Sequence, residues 1–220
     1  MESKLDYSSS MLPMHSNPTI QIIQALIDTT LMLGQDGKST SALDSRLEAT
    51  REDLNKNLET YYARVNRTIS GYIAGTGLDA DDLTQETFLK AFRNLESFAG
   101  SSSVYTWLYR IARNTCIDAM RRLNSRGEKN LVEFNEEILN NENENNPDDV
   151  EQRERDELLK KALGNLQEEM RLLIVLKHLQ QLKYEEISEI TDLEVGTVKS
   201  KLFRARTQLK SEMMKLGYES

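Results

Sequence analysis

The 220-residue sequence predicts an all-α protein: two small helical domains, a bundle and a helix-turn-helix domain, joined by a flexible acidic linker. Three observations carry that prediction. Apolar residues recur at three- and four-residue spacing through residues 54–126 and again through 151–216, with no period-two run between them. Proline is confined to Pro13, Pro18 and Pro147, so neither block is interrupted. Between the blocks lies an acidic, asparagine-rich stretch, residues 127–150, too poor in apolar side chains to offset the entropy of ordering.

Residues 1–53 are read as an N-terminal extension, largely disordered or weakly helical. Within it Ile20, Ile22, Ile23, Leu26, Ile27 and Leu31 space a short amphipathic helix that Gly34 and Gly37 stop. In the first block, Leu58, Tyr61, Tyr62, Val65, Ile69 and Tyr72 mark one helix, ended near Gly75-Thr76-Gly77. Asp79 is placed to N-cap the next, DADDLTQETFLKAF, with Asp81 and Asp82 in its first turn, where the helix dipole favours carboxylates. Leu83, Thr87, Leu89 or Ala91, and Phe88 with Phe92 form the buried side of that helix. Asp81, Asp82, Gln85 and Glu86 form an outward acidic-polar face.

A small-residue loop, residues 98–103 (FAGSSS), leads to a long helix in which Tyr105, Trp107 and Tyr109 lie among Arg110, Arg113, Arg121 and Arg122. Arginines hold phosphates and ring faces stack on unpaired bases, so this helix is a candidate single-strand binder. The alternative is that the rings are core residues of a bundle; Trp107, Ile111 and Ile117 are expected to be partly core in either case.

The second block ends in YEEISEITDLEVGTVKSKLFRARTQL, residues 184–209. This reads as a short helix carrying Ile187 and Ile190 inward, a tight turn, and a second helix. The second helix buries Val195, Val198, Leu202, Ala205 and Leu209 and shows Thr197, Lys199, Ser200, Lys201, Arg204 and Arg206. Helix, turn, basic helix is the arrangement that lays a recognition helix in a DNA major groove.

The net charge of −8 conceals segregation. Residues 110–129 and 199–215 are basic, and LVEFNEEILNNENENNPDDVEQRERDE between them is acidic. Two basic patches on an acidic tether point to two nucleic-acid contacts, the alternative for either patch being a solvated helix face. The single cysteine, Cys116, excludes an internal disulfide and a CxxC pair. No apolar run reaches the ~20 residues of a membrane helix, and the N-terminus lacks the order of a secretory signal; a cytoplasmic protein with no membrane insertion is expected. An enzyme reading finds little support. His15 and His178 are far apart, the glycines lack the Gly-Lys-Ser/Thr ending of a phosphate loop, and the acidic residues lack the spacing of a metal loop. No catalytic residue, metal or cofactor is expected.

In combination, DADDLTQETFLKAF, FAGSSSVYTWLYRIARNTCIDAMRR and LKYEEISEITDLEVGTVKSKLFRARTQL resemble the second and fourth regions of bacterial RNA polymerase sigma factors. The absence of a domain between them resembles the extracytoplasmic-function (ECF) group of the sigma-70 family. The resemblance implies a factor that binds core RNA polymerase, through the β′ clamp helices and the β flap, and directs promoter-specific initiation. On that resemblance Asp79, Asp81, Asp82, Gln85, Glu86, Phe88 and Lys90 bind core polymerase. Phe98, Ser101, Ser102, Ser103, Tyr105, Trp107, Tyr109, Arg110, Arg113, Asn114, Asp118, Arg121 and Arg122 melt and read the −10 element. Tyr184, Glu185, Thr197, Lys199, Ser200, Lys201, Arg204 and Arg206 read the −35 element within a helix-turn-helix over 184–203. An anti-sigma protein is the implied regulatory partner. The chain departs from the family pattern at Lys183, where a hydroxyl N-cap is common, at Asp192, where the turn often holds glycine, and at Gln167, where proline is common.

Two other classes remain open on the residues alone. A helix-turn-helix regulator acting without polymerase needs neither the Asp82-Gln85-Glu86 face nor the aromatic-arginine helix. A helical interaction module would leave Lys199, Lys201, Arg204 and Arg206 as idle surface charge.

Overall fold

The computed structural model describes residue 21 and residues 42–95, 98, 102–125 and 147–218. The amphipathic segment around residues 20–31, the loop residue Ser101 and most of the acidic linker lie outside the described residues. Every regular element among the described residues is helical.

Helix α1 (Ala42–Lys56) precedes α2 (Leu58–Tyr72) almost without a break. Asp53 joins them: its carboxylate accepts from the Tyr61 hydroxyl at 2.5 Å and from the Asn57 amide at 2.9 Å. The apolar stripe of α2 is buried as the spacing predicts, with Val65 and Ile69 at the centre. The chain reverses at Gly75 and Gly77, both at positive φ, where a glycine backbone is unstrained. Asp79 then caps α3 (Ala80–Arg93), accepting the Asp82 N–H at 2.9 Å. Helix α4 (Val104–Ser125) begins where Ser103 Oγ accepts the Thr106 N–H at 3.1 Å, and it packs across α2 and α3.

The second unit opens with α5 (Pro147–Gly164) and α6 (Glu168–Ile174), then passes through a π-helical turn, Val175–Leu179. The run MRLLIVLKHL, residues 170–179, reads from its sequence as one apolar helix. The widened turn differs because Gln180 N–H bonds the Val175 carbonyl and Gln181 takes φ 55. Its consequence is positional: Gln180 is turned inward and buried. Helices α7 (Tyr184–Thr191) and α8 (Val195–Lys215) complete the unit.

The two units share one continuous core, which runs from Leu54 through Leu108 and Leu173 to Ala205. Helix α2 packs on α5, α6 and the π turn, and α4 packs on α7. Two glycines make the approach possible. A Cβ on Gly71 would stand 2.8 Å from Val175 Cγ2, and one on Gly75 would stand 3.1 Å from Gly164 Cα. The junction is sealed by Arg171, 6 % exposed. Its Nη1 donates to the carbonyls of Tyr72 (3.0 Å) and Ala74 (2.7 Å), and its Nη2 to those of Gly164 and Leu166 (both 3.0 Å). Burial lowers its pKa from the ordinary arginine value.

Candidate nucleic-acid and polymerase interfaces

The helix-turn-helix forms from local chemistry. Lys183 cannot cap α7 with its side chain, but Glu186 compensates by accepting the Lys183 N–H at 2.8 Å. Asp192 ends α7 in the left-handed conformation, φ 59 and ψ 26, which aspartate tolerates better than most residues. Ser188 Oγ closes the turn by donating to the Leu193 carbonyl at 2.5 Å. Gln167 stands at φ −59 and ψ 142 before α6, a conformation that proline also adopts. All three departures from the family pattern are thus accommodated locally.

Helix α8 buries Val198, Leu202 and Ala205 against α6 and α7, which turns Lys199, Ser200, Phe203, Arg204, Arg206 and Thr207 to solvent. Thr197 is half-buried, and Lys201 is half-buried and paired with Glu169. Arg206 Nε donates to His178 Nε2 at 3.0 Å. Tyr184 is half-buried beneath two ammonium groups, Lys177 Nζ at 4.7 Å and Lys199 Nζ at 5.4 Å from the ring centroid, while Glu185 is exposed. Phe203 is the residue that sequence reading missed. It is 71 % exposed, three positions from Ser200 on the outward arc, with an apolar ring that nothing in the fold requires there. Counting 100° per residue from the buried face would have found it.

In the first unit, Asp79, Asp81 and Asp82 are exposed along α3, Gln85 and Glu86 are half-buried, and Phe88 is wholly core. Asp81 accepts from Asn66 at 2.7 Å and from Tyr62 at 3.3 Å. Glu86 pairs with Lys90 at 2.9 Å and with Arg122 at 3.6 Å, and Lys90 also donates to Thr115 at 3.2 Å.

The aromatic residues of α4 occupy three environments. Trp107 is half-buried with the Phe98 ring at 5.2 Å. Tyr105 is half-buried, with Tyr61 at 4.4 Å and the Arg64 guanidinium 4.0 Å from its ring. Tyr109 is interior: it is 1 % exposed, and its hydroxyl donates to Gln180 at 2.8 Å. Burial pushes the Tyr109 phenol up to about 12. Ser102 is half-buried and Ser103 exposed; Asn114, Asp118, Arg121 and Arg122 all face solvent.

Two groups that the sequence separates are brought together. Arg110 Nε donates to the Glu189 carbonyl at 3.1 Å. Arg113 Nη1 donates to the Ile190 carbonyl at 3.4 Å and to the Asp192 carboxylate at 3.1 Å. The arginines of α4 therefore rest on the end of the first helix of the helix-turn-helix.

Cys116 is buried, and burial, with Glu168 and Glu86 adding to it, pushes its thiol up to about 12. Among the described residues no cluster of three or more His, Cys, Asp or Glu can hold a metal, and no helix is long and apolar enough to cross a membrane.

A helix-turn-helix with an exposed basic face, joined to a bundle carrying an acidic strip and an arginine-rich helix, defines a sigma-type initiation factor. Residues 58–126 match Sigma-70 region 2 and residues 156–209 match Sigma-70 region 4. The ECF RNA polymerase sigma-E factor of Haemophilus influenzae is 35% identical over 181 residues, which is 77% of this chain and 92% of that protein. The sigma-E factor of Escherichia coli K12 is 35% identical over 167 residues, 71% of this chain and 84% of its own length. Among solved structures, the sigma factor RpoE of Bartonella quintana in complex with the anti-sigma factor NepR is similar at TM-score 0.55 and 25% identity, over 76% of this chain and 99% of that one. CnrH in complex with the cytosolic domain of CnrY shares the fold at TM-score 0.51 and 20% identity, over 91% of this chain and 99% of that one. The chain belongs to the ECF RNA polymerase sigma factors of the sigma-70 family. It binds core RNA polymerase and directs promoter-specific transcription initiation, without catalytic chemistry of its own.

Proposed function

We propose a division of labour among the surfaces of this factor. The exposed acidic strip of α3, Asp79, Asp81 and Asp82 with Gln85 and Glu86 beside it, docks on the β′ clamp helices of core polymerase. Phe88 supports that strip from the core, and Lys90 holds Glu86 in position. The outward face of α8 enters the major groove of the −35 element. There Ser200 and Arg204 are placed for base edges and phosphates, and Phe203 for an apolar contact such as a thymine methyl. Lys199, Lys201 and Arg206 contribute phosphate contacts that fix register. Tyr184 and Glu185 sit at the start of the motif.

Helix α4 and the loop before it handle the unpaired −10 strand. Arg110, Arg113, Arg121 and Arg122 hold phosphates, and Trp107 with Phe98 forms the edge of a base pocket beside Ser102 and Ser103. Unstacking a base costs a few kcal/mol, which stacking and pocket contacts recover. The apolar groove of about 450 Å³ lined by Leu163, Ile174, Leu179, Leu209, Met213 and Met214 suits an amphipathic helix, and we assign it to the β flap. By likeness to the sigma factor RpoE solved with the anti-sigma factor NepR, an anti-sigma protein is the regulatory partner. The cytoplasm, where polymerase and DNA meet, is the inferred compartment.

The observation that carries this reading is the segregation of exposed side chains: acidic on α3, basic with one aromatic on α8. The test is a pair of variants. Replacing Asp82 and Glu86 with alanine should weaken core-polymerase binding and leave DNA preference intact. Phe203→Ala should leave polymerase binding and folding intact and reduce discrimination among −35 sequences by about 1–3 kcal/mol. If Phe203→Ala instead destabilises the fold and leaves promoter choice unaltered, the assignment of α8 fails.

A further inference from the structure

Two cations of helix α8 rest on different supports. Lys201 pairs with the Glu169 carboxylate, so an opposing charge stands beside its own. Arg206 meets a neutral acceptor instead: its Nε donates to His178 Nε2 at 3.0 Å. Among the described residues no carboxylate pairs with Arg206. An acceptor at Nε2 places the imidazole proton on Nδ1. The ring stays neutral near physiological pH because burial, and then the charges of Arg206 and Lys177, hold its pKa below the ordinary value. Lys210 is a further cation on the groove that His178 and Arg206 both line.

The place of Arg206 on the helix gives this bond a role. Phe203 is the most exposed large apolar residue of the outward arc, and Arg206 lies about 60° round the helix from it, at about 100° per residue. A recognition helix meets base edges along the middle of such an arc and phosphates along its borders. A free arginine there pays one of the largest rotamer-entropy costs of any side chain when it settles on a phosphate. The His178 bond fixes the stem before DNA arrives. It engages Nε, so the paired Nη donors, which together take two oxygens of one phosphate, are left for DNA. A carboxylate in place of the imidazole would fix the stem equally well and cancel the charge that the phosphate needs.

We propose that His178 is a positioning residue for −35 binding: from the π-helical turn it holds the Arg206 guanidinium at the border of the recognition surface, its charge uncancelled, for a DNA phosphate. The inference rests on the assignment of Arg206 to a phosphate contact.

A phosphate contact carries no sequence information, so the probe is a mixed-sequence duplex of about 20 base pairs. It is titrated with the full-length chain by fluorescence anisotropy, at low salt and about pH 7.5, where an imidazole of ordinary or lower pKa is neutral. His178→Leu keeps apolar volume on the groove and removes the acceptor; it should bind about three- to tenfold more weakly than wild type. His178→Gln presents an amide oxygen at the reach of Nε2 and should restore affinity to within about twofold. His178→Glu keeps an acceptor but adds a charge, and should flatten the salt slope by about 0.9. In an Arg206→Ala background His178→Leu should cost nothing further, the signature of two residues acting as one contact. Long-range 1H–15N NMR separates positioning from packing. Neutral His178 should be the Nδ1–H tautomer in the wild-type chain, and Arg206→Ala should abolish that preference.

A harmless His178→Leu beside an Arg206→Ala that weakens binding overturns the positioning role alone. So does an equal cost of His178→Leu in both backgrounds, a glutamine variant as weak as the leucine one, or an Nε2–H tautomer in the wild-type chain. Arg206→Ala with wild-type affinity and salt slope strikes the phosphate contact itself, and the role of His178 falls with it.

Discussion

Arg171→Met is the substitution whose cost the fold defines most sharply. The guanidinium donates to carbonyls of Tyr72 and Ala74 in one unit and of Gly164 and Leu166 in the other, at 2.7–3.0 Å. Each bond to a charged donor is worth about 1.5–3 kcal/mol, against which stands the several kcal/mol of desolvating the ion. Methionine replaces the apolar stem but leaves the four buried carbonyls without this donor. The expected net loss is about 3–5 kcal/mol, and Arg171→Lys, which keeps the charge but not the four-carbonyl fork, should fall between. For a chain of this length that corresponds to a fall in Tm of about 6–20 °C. Because the carbonyls lie on both units, the variant should also split one cooperative transition into two. The assay is thermal and urea unfolding followed by circular dichroism and by Trp107 fluorescence. Coincident transitions in Arg171→Met, displaced from wild type by less than about 1 kcal/mol, would refute the reasoning.

Two further outcomes follow from the same geometry. Replacing Arg204 and Arg206 with alanine should reduce the salt slope of −35 duplex binding by about 2 while leaving the Tm nearly unchanged, since both side chains are exposed; an unchanged slope would remove them from the DNA contact. Burial first, and then the charges of Arg206 and Lys177, hold the His178 pKa below its ordinary 6.5. The folded state therefore favours neutral His178. The stability linked to this group is fully present above pH 6.5 and declines as the pH falls through 6.5 toward the depressed value. NMR titration, with His15→Gln for assignment, should give a value under 6.5 for His178; one at or above it contradicts the packing around Arg206.

Much of the fold was legible because local rules agreed. The stripe of α2, the Asp79 cap, the Gly75–Gly77 reversal and the left-handed Asp192 are each set by nearby residues, and each stands where the spacing or the turn chemistry placed it; the α8 stripe holds at Val198, Leu202 and Ala205, while Val195 and Leu209, toward the ends of the stripe, are only half-buried. The acidic strip of α3 was readable for the same reason. What escaped was non-local. The union of both units in one core depends on Gly71 meeting Val175 and Gly75 meeting Gly164, about a hundred positions apart, and a lone glycine in a helix carries no record of its partner. Arg171 reads as the polar edge of an apolar run until the carbonyls it bridges are known. The inward Gln180 depends on a π-helical turn that hydrophobic periodicity does not register. Tyr109 lay in an aromatic-arginine pattern that fits either core or strand binding, and the sequence had no means to choose.

The central claim is that this chain, as an ECF sigma factor, confers promoter choice on polymerase. The most direct measurement is in vitro transcription by bacterial core RNA polymerase on fragmented genomic DNA, with and without the protein, followed by sequencing of transcript 5′ ends. Discrete start sites that appear only with the protein, and share two upstream motifs, are the predicted result. An unchanged set of start sites, from a chain that demonstrably binds the core enzyme, would contradict it.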